Sequence, residues 1–107
     1  MLKISTRIFG DITILDAEGR VTASDGTSTQ LRSAFREAGP KILVNLGRVR
    51  YMDSSGLGEL VRAATGRRRQ VKILHPSQYL ENLLKMSKLD QCLEIHFDEK
   101  AAIRSFK

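Results

Sequence analysis

The chain has 107 residues, a formal net charge of +6 and a pI near 9.9. Its hydrophobic fraction of 41% and its mean hydropathy of −0.25 predict a folded protein and not a disordered chain. No apolar run approaches the roughly 20 residues that span a bilayer. The first residues lack an apolar core of signal-peptide length, and a lone cysteine, Cys92, excludes an intramolecular disulfide. We therefore expect one cytoplasmic domain over residues 1–107, with no membrane insertion.

The basic residues are scattered, apart from a run of three arginines at residues 67–69. This run falls where a helix is expected to end, and cations there interact favourably with the helix dipole. A solvated helix end is favoured over a contact surface, because charge runs are usually solvated. No aromatic residue interrupts the run, so stacking on single-stranded nucleic acid is not expected. The positive charge favours an acidic partner, and we predict no direct nucleic-acid binding.

Strand-like and helical patterns alternate along the chain. Strands are expected at residues 12–17, with a break at 18–19 and a continuation at 20–22, and then at 41–46, 71–74 and 93–97. Helices are expected over residues 31–38, 57–64, 77–84 and 98–106, and a polar loop over residues 23–28. Pro76 and Ser77 are expected to open the third helix, and Asp98 has the side chain of a helix N-cap. The alternation predicts an α/β domain with a parallel or mixed sheet.

The most informative segment is the hexapeptide at residues 53–58, which we call the DSSGLG motif. It follows a strand and opens a helix, so its polar side chains are exposed and backbone N–H groups point outward. Helix capping by Asp and Ser is the simple interpretation. Serine phosphorylation is the alternative, because a helix N-terminus helps to hold an added negative charge. The residues alone do not choose between Ser54 and Ser55.

The motif occurs with a set of other segments that together resemble a STAS domain over essentially the whole chain. These segments are Gly10–Leu15, Glu18–Arg20, Ile42–Leu46, Tyr51–Gly58, Leu83–Asp90 and Phe97–Asp98. The resemblance implies a single STAS-type domain, with a mixed, mostly parallel sheet of about four or five strands and about four helices.

The STAS family includes bacterial anti-sigma factor antagonists, so the resemblance implies a binding module and not an enzyme. Unphosphorylated, such a module sequesters an anti-sigma factor that is also a serine protein kinase, and a sigma factor is freed. The kinase inactivates it at the second serine of the motif, here Ser55, and a serine phosphatase would reverse this. No cofactor and no metal are implied. The expected partner-binding residues are Asp53, Ser54, Ser55, Gly56, Leu57, Gly58, Asp25 and Arg62.

Two other functions remain as alternatives. The first is a scaffold subunit of a regulatory assembly or of a membrane transporter, using the same fold without obligatory phosphorylation. The second is a nucleotide-binding protein or enzyme, against which the absence of a GxxxxGK[ST] phosphate loop from the sequence counts.

Several neighbouring residues also carry expectations. The loop containing Asp25 is implied by the resemblance to lie beside the phosphorylation site. Met52 is a candidate exposed contact, whereas the spacing of Leu57 indicates a core position. The two motif glycines are expected to allow close backbone approach or to leave N–H groups free. Cys92 is expected to be a small buried hydrophobic residue.

Overall fold

A computed structural model describes residues 1–66 and 69–106. The described residues form five strands and four α-helices, with one 3₁₀ turn at Leu89–Gln91. In chain order the elements are β1 (Leu2–Phe9), β2 (Ile12–Val21), α1 (Thr27–Glu37), β3 (Lys41–Met52), α2 (Ser54–Ala64), β4 (Gln70–Leu74), α3 (Gln78–Met86), β5 (Glu94–His96) and α4 (Glu99–Ser105). The predicted α/β class is confirmed. No helix in the described ranges is long and apolar enough to cross a bilayer.

The five strands form one mixed sheet in the order β1-β2-β3-β4-β5. β1 is antiparallel to β2, and every other neighbouring pair is parallel. Ile12 pairs with Lys41 at one end of the central strands, and Val21 pairs with Met52 at the other. The chain leaves β2 and β3 at this second end. It is therefore the end at which loops of a parallel sheet collect functional side chains.

The larger core lies between the sheet and one layer of three helices. Leu15 and Val21 of β2 belong to this cluster, together with Leu31 of α1, Leu60 of α2 and Leu84 of α3. A smaller cluster on the opposite face joins β2, β3 and β4 to α4. The alternating side chains of β2 supply both clusters, because successive residues of a strand point to opposite faces. Both faces of the sheet are thus covered, as parallel strands require.

The sequence analysis expected no strand before residue 12, and the structure corrects this by showing β1. It forms a hairpin with β2 in which Phe9 faces Ile12, so the turn has only two residues. Gly10 takes the left-handed backbone conformation (φ 61°) that such a turn needs. The edge strand pairs with β2 from Ile12 to Gly19, which is most of its length.

The predicted break at residues 18–19 is a register irregularity within one continuous strand. Gly19 has φ 125°, and a Cβ at this position would overlap the carbonyl oxygen of Met1. The N–H of Arg20 donates to that same oxygen (3.1 Å). The N-terminus is consequently held at the end of the sheet where β2 leaves toward α1.

Two other local expectations are wrong, and a third is tested at one residue of three. Thr27 and Ser28 belong to α1 and are buried, where a loop was expected. Cys92 is exposed. Of the arginine run, residues 67 and 68 lie outside the described residues, and Arg69 does not cap α2. Its guanidinium donates to the carbonyl oxygens of Phe35 and Arg36, near the C-terminus of α1.

Candidate functional site

The DSSGLG motif forms the junction between β3 and the first turn of α2. Asp53 is the N-cap residue, with an extended backbone (φ −94°, ψ −176°), and its N–H donates to the carbonyl oxygen of Val21 (3.1 Å). The chain then turns into the helix at Ser54. Asp is among the preferred N-cap residues because its carboxylate satisfies N–H groups that the helix leaves unpaired. The predicted strand-to-helix turn is confirmed.

The carboxylate of Asp53 is the centre of the site. Its Oδ1 accepts from the backbone N–H groups of Ser55 (3.0 Å) and Gly56 (3.1 Å), and from the hydroxyl of Ser55 (2.5 Å). Its Oδ2 accepts from the N–H of Ala23 (3.0 Å), in the loop that follows β2. The hydrogen bond from the Ser55 hydroxyl, followed by those from backbone N–H groups, lowers the pKa of Asp53 to about 2. The carboxylate is therefore ionised at neutral pH.

These bonds correct the expectation of unoccupied N–H groups in the motif. The N–H groups of Ser55 and Gly56 already donate to the side chain of Asp53, and that of Leu57 donates to the Asp53 carbonyl (3.1 Å). A phosphate on Ser55 would have no hydroxyl proton to donate, and it would face the Asp53 carboxylate. It would compete with that carboxylate for the N–H groups of Ser55 and Gly56.

The two glycines of the motif have different environments. A Cβ on Gly56 would lie 2.6 Å from Cγ of Met52 and 2.9 Å from Cγ1 of Val21, so only glycine lets α2 approach the sheet this closely. A Cβ on Gly58 would meet nothing within 4 Å. Close approach is thus confirmed for Gly56 alone, and Gly58 leaves an open position on the exposed side of the helix.

The loop from Ala23 to Gly26 lies against the motif, as the resemblance implied. Ala23 is bound to Asp53, and the N–H of Asp25 donates to the hydroxyl of Thr22 (3.1 Å). The side chain of Asp25 is exposed and lies 3.8 Å from Nε of Arg20. The loop and the motif thereby form one continuous surface.

Three residues that the sequence analysis did not place at the site extend this surface. The guanidinium of Arg20 lies 4.8 Å from the ring centroid of Tyr51, and this ring stacks on Tyr79 at 6.0 Å. The two tyrosines are 39% and 41% exposed. Arg20 and Tyr51 are direct neighbours in the register of β2 and β3, which is visible only once the strands are paired. Met52, expected to be an exposed contact, is buried beside them.

The remaining site candidates lie along α2. Leu57 is half-buried against the larger core, as its spacing indicated. Arg62 is exposed, with Nη1 3.6 Å from Oε2 of Glu59. Glu59 is only 5% exposed, and its main partner is Arg32 of α1, whose Nη2 lies 2.6 Å away. No motif pointed to Glu59, since the pair forms only when α1 and α2 are packed together.

The described residues contain no group of three or more His, Cys, Asp or Glu side chains that could hold a metal ion. The chemistry that the site offers is that of a hydroxyl at a helix N-terminus, held by a carboxylate and surrounded by an exposed loop and an aromatic stack. Such a surface is suited to contact with another macromolecule.

Solved structures similar to this one include several anti-sigma factor antagonists. A Mycobacterium paratuberculosis anti-sigma factor antagonist aligns with a TM-score of 0.81 at 11% identity, covering 98% of this chain and 93% of the other. The Bacillus cell fate determinant SpoIIAA in its phosphorylated form aligns with a TM-score of 0.68 at 19% identity, covering 97% of this chain and 100% of the other. Unphosphorylated SpoIIAA aligns with a TM-score of 0.67 at 19% identity, covering 98% of this chain and 99% of the other. At these identities the likeness establishes the fold.

Sequence comparison gives the family directly. No curated protein matches the chain. A family model described as "Mlab, STAS domain" matches residues 4–95, which is most of the chain and includes the DSSGLG motif. The chain therefore belongs to the STAS domain family.

Proposed function

We propose that this chain is an anti-sigma factor antagonist whose binding to an anti-sigma factor is switched off by phosphorylation of Ser55. The observation that carries the proposal is the position of the Ser55 hydroxyl, which donates to Asp53 at the N-terminus of α2 (2.5 Å). It lies at the end of the sheet where the loop after β2 and the start of α2 form one surface. Membership of the STAS family supports the binding role.

The switch would act through local charge. A phosphoserine carries about −1.5 to −2 charges at pH 7. Next to the ionised Asp53, this charge would compete for the N–H groups of Ser55 and Gly56, and it would repel an acidic partner surface. The core lies beneath the motif and does not depend on the hydroxyl, so the fold should persist after modification. The binding surface is what changes.

The chain acts in this scheme as a kinase substrate and not as an enzyme. Phosphoryl transfer needs a positioned acceptor hydroxyl, whereas the nucleotide, metal ion and base can come from the kinase. The proposed partner is an anti-sigma factor with serine kinase activity, and a serine phosphatase would reset the switch in the cytoplasm. The proposed contact residues are Asp53, Ser54, Ser55, Gly56, Leu57, Gly58, Asp25 and Arg62.

The test compares Ser55→Ala and Ser55→Glu as baits for partners from the native host, with Ser54→Ala as the matched control. We expect wild type, Ser54→Ala and Ser55→Ala to retain a kinase-like anti-sigma factor, and Ser55→Glu to lose it. Incubation with that factor and ATP should then phosphorylate wild type and Ser54→Ala but not Ser55→Ala. Equal retention by Ser55→Ala and Ser55→Glu would contradict the switch.

A second candidate function is a scaffold subunit of a regulatory assembly or membrane transporter, without obligatory phosphorylation. It is favoured by the structural use of Ser55, whose N–H and hydroxyl both bind the capping carboxylate of Asp53. This role would explain a serine at the position without any modification. Stable co-purification with a multi-subunit complex, unchanged in Ser55→Glu, would support it.

A further inference from the structure

A groove between α1 and α2 lies next to the DSSGLG motif. Its cavity is about 430 Å³ in volume, and its polar lining consists of four arginines and one carboxylate. We call it the arginine groove, defined by Arg32, Arg36, Arg62, Arg69 and Glu59.

The single carboxylate does not neutralise the groove. Glu59 is almost fully buried and accepts from both Nε (3.0 Å) and Nη2 (2.6 Å) of Arg32. This pairing lowers the pKa of Glu59, so the carboxylate is ionised and its charge is taken up by Arg32. Arg69 is turned toward the carbonyl oxygens near the end of α1.

Two arginines of the groove face solvent. Arg36 is exposed on α1, and no ion pair to it occurs within the described part of the chain. Arg62 is exposed on α2, and among residues 1–66 and 69–106 its one ion pair is the long contact with Glu59 (3.6 Å). Because their charges are not compensated by close partners, these two guanidiniums give the groove a positive surface.

The groove is continuous with the proposed phosphorylation site. Ser55, Glu59 and Arg62 occupy positions i, i+4 and i+7 of α2, so they share one face of the helix. Seven residues correspond to about 10 Å along a helix axis. A partner segment that contacts the motif and runs along α2 therefore reaches the groove within two turns.

We propose that the arginine groove receives an acidic segment of the partner protein that binds the DSSGLG motif. The inference rests on the proposed function and adds the charge of the partner to it. The groove and the net charge of +6 both favour a negatively charged segment. The direction of the proposed switch fits the same sign. A phosphate at the start of the same helix face would repel an acidic segment, whereas it would attract a basic one.

The first experiment titrates the ¹⁵N-labelled chain with a synthetic peptide rich in glutamate. A peptide with lysine in place of every glutamate is the control. We expect the acidic peptide to bind, with chemical-shift changes concentrated at Arg36, Glu59 and Arg62. Affinity should fall at least about tenfold between about 0.05 and 0.5 M NaCl, because exposed charges are screened. Equal binding of both peptides, or changes spread over all basic residues, would overturn the inference.

The second experiment separates the groove from general charge. The double variant Arg36→Glu, Arg62→Glu reverses the two outward arginines, and Lys100→Glu, Arg104→Glu makes the same change in net charge on α4, across the sheet. We expect the first pair to weaken peptide binding at least about tenfold and the second to change it less than about twofold. Circular dichroism checks that both variants fold. Equal weakening by both pairs would contradict the assignment.

The same variants distinguish this inference from the proposed function. If Ser55→Glu abolishes capture of the anti-sigma factor while Arg36→Glu, Arg62→Glu leaves its affinity unchanged, the groove assignment fails and the switch stands. If the groove variants weaken capture while Ser55→Glu does not, the switch fails and the acidic docking surface stands.

Discussion

At the scale of single residues, the carboxylate of Asp53 connects three parts of the chain. It caps α2 through Ser55 and Gly56, it holds the hydroxyl of Ser55, and it fixes the following loop of β2 through Ala23. The residue identities predicted the cap and the serine. They did not predict that the N–H groups of Ser55 and Gly56 would donate to the Asp53 carboxylate, since this depends on the rotamer of Asp53 in the folded chain.

The pH dependence of stability should report on this carboxylate. Its folded-state pKa of about 2 lies below the ordinary value of 3.8. The ionised form therefore stabilises the fold fully above about pH 5, and this contribution is lost as the pH falls through the folded-state value. We expect wild type to be more stable than Asp53→Asn at pH 7 and the gap to narrow toward pH 3. Urea unfolding at a series of pH values measures it, and a constant gap would contradict the assignment.

The two motif glycines provide a matched pair of substitutions. Gly56→Ala forces a Cβ against Met52 and Val21, and overpacking of this kind costs about 1–3 kcal/mol. Gly58→Ala meets open space on an exposed helix, where alanine stabilises by about 0.5–1 kcal/mol. Denaturant unfolding should therefore move in opposite directions for the two variants. Destabilisation of similar size in both would show that the packing at Gly56 is not what distinguishes them.

At the scale of elements, the hydrophobic pattern predicted the strands and helices that contain several buried residues. The strand at 41–46 and the helices after Ser77 and Asp98 are in place. Asp98 is the N-cap that was predicted, and the structure shows that Ser77 caps α3 in the same way. The second half of β3 was missed because Arg48 and Arg50 are exposed there. Its strand conformation comes from pairing with β2, which a local pattern does not contain.

β1 was missed for a different reason. Its apolar side chains at Leu2, Ile4 and Ile8 and the Gly10–Asp11 turn are signals of a hairpin, but Thr6 interrupts the apolar series and Phe9 breaks the alternation at its end. Pairwise contacts at the site, such as Arg20 with Tyr51 and Arg32 with Glu59, could likewise not be predicted from the sequence. They join residues that are distant along the chain and meet only after the sheet and helices are packed.

α4 is attached to the sheet through a largely buried lysine. Nζ of Lys72 on β4 donates to the carbonyl oxygen (2.9 Å) and hydroxyl (2.7 Å) of Ser105, and it lies 2.8 Å from Oε2 of Glu94. The same ammonium group is 4.7 Å from the ring centroid of Phe106. One charged group thus joins β4, β5 and the end of the last helix.

Removal of this lysine should loosen α4 selectively. Hydrogen bonds to charged groups contribute about 1.5–3 kcal/mol, so we expect Lys72→Met to reduce the free energy of unfolding by about 1–3 kcal/mol. Amide hydrogen exchange should accelerate in α4 more than in α1. Lys100→Met, at an exposed position of α4, is the control and should change stability little. Uniform acceleration across all helices would contradict a local anchor.

At the scale of the whole molecule, the two ends of the sheet differ in character. One end holds the DSSGLG motif and the loop after β2. The other holds the β1–β2 hairpin turn, where Ile8 and Phe9 are 68% and 59% exposed. The ten residues of β2 separate the two ends by about 30 Å. Binding at the motif should therefore not depend on the apolar side chains of the hairpin.

This separation gives a prediction for the hairpin. Ile8→Thr and Phe9→Ser remove exposed apolar surface, and exposed substitutions usually change stability by less than about 0.5 kcal/mol. We expect both variants to be as stable as wild type and to capture the partner equally well. Adding Ser55→Glu to either variant should abolish capture, as it does in wild type. Thermal unfolding and the same bait experiment measure the two quantities. Loss of capture in a stably folded Phe9→Ser variant would place part of the binding surface at the hairpin end.

The hydrogen bond from the backbone N–H of Arg20 to the carbonyl oxygen of Met1 has a practical consequence for any fusion protein. An affinity tag or reporter attached before Met1 would start beside Arg20, and therefore beside Tyr51 and the loop carrying Asp25. It would compete with a partner for that space and imitate a loss of binding. A tag attached after the last helix would leave from the Lys72 side of the sheet, far from Ser55. Tag position is thus a variable that can itself report which end of the domain the partner covers.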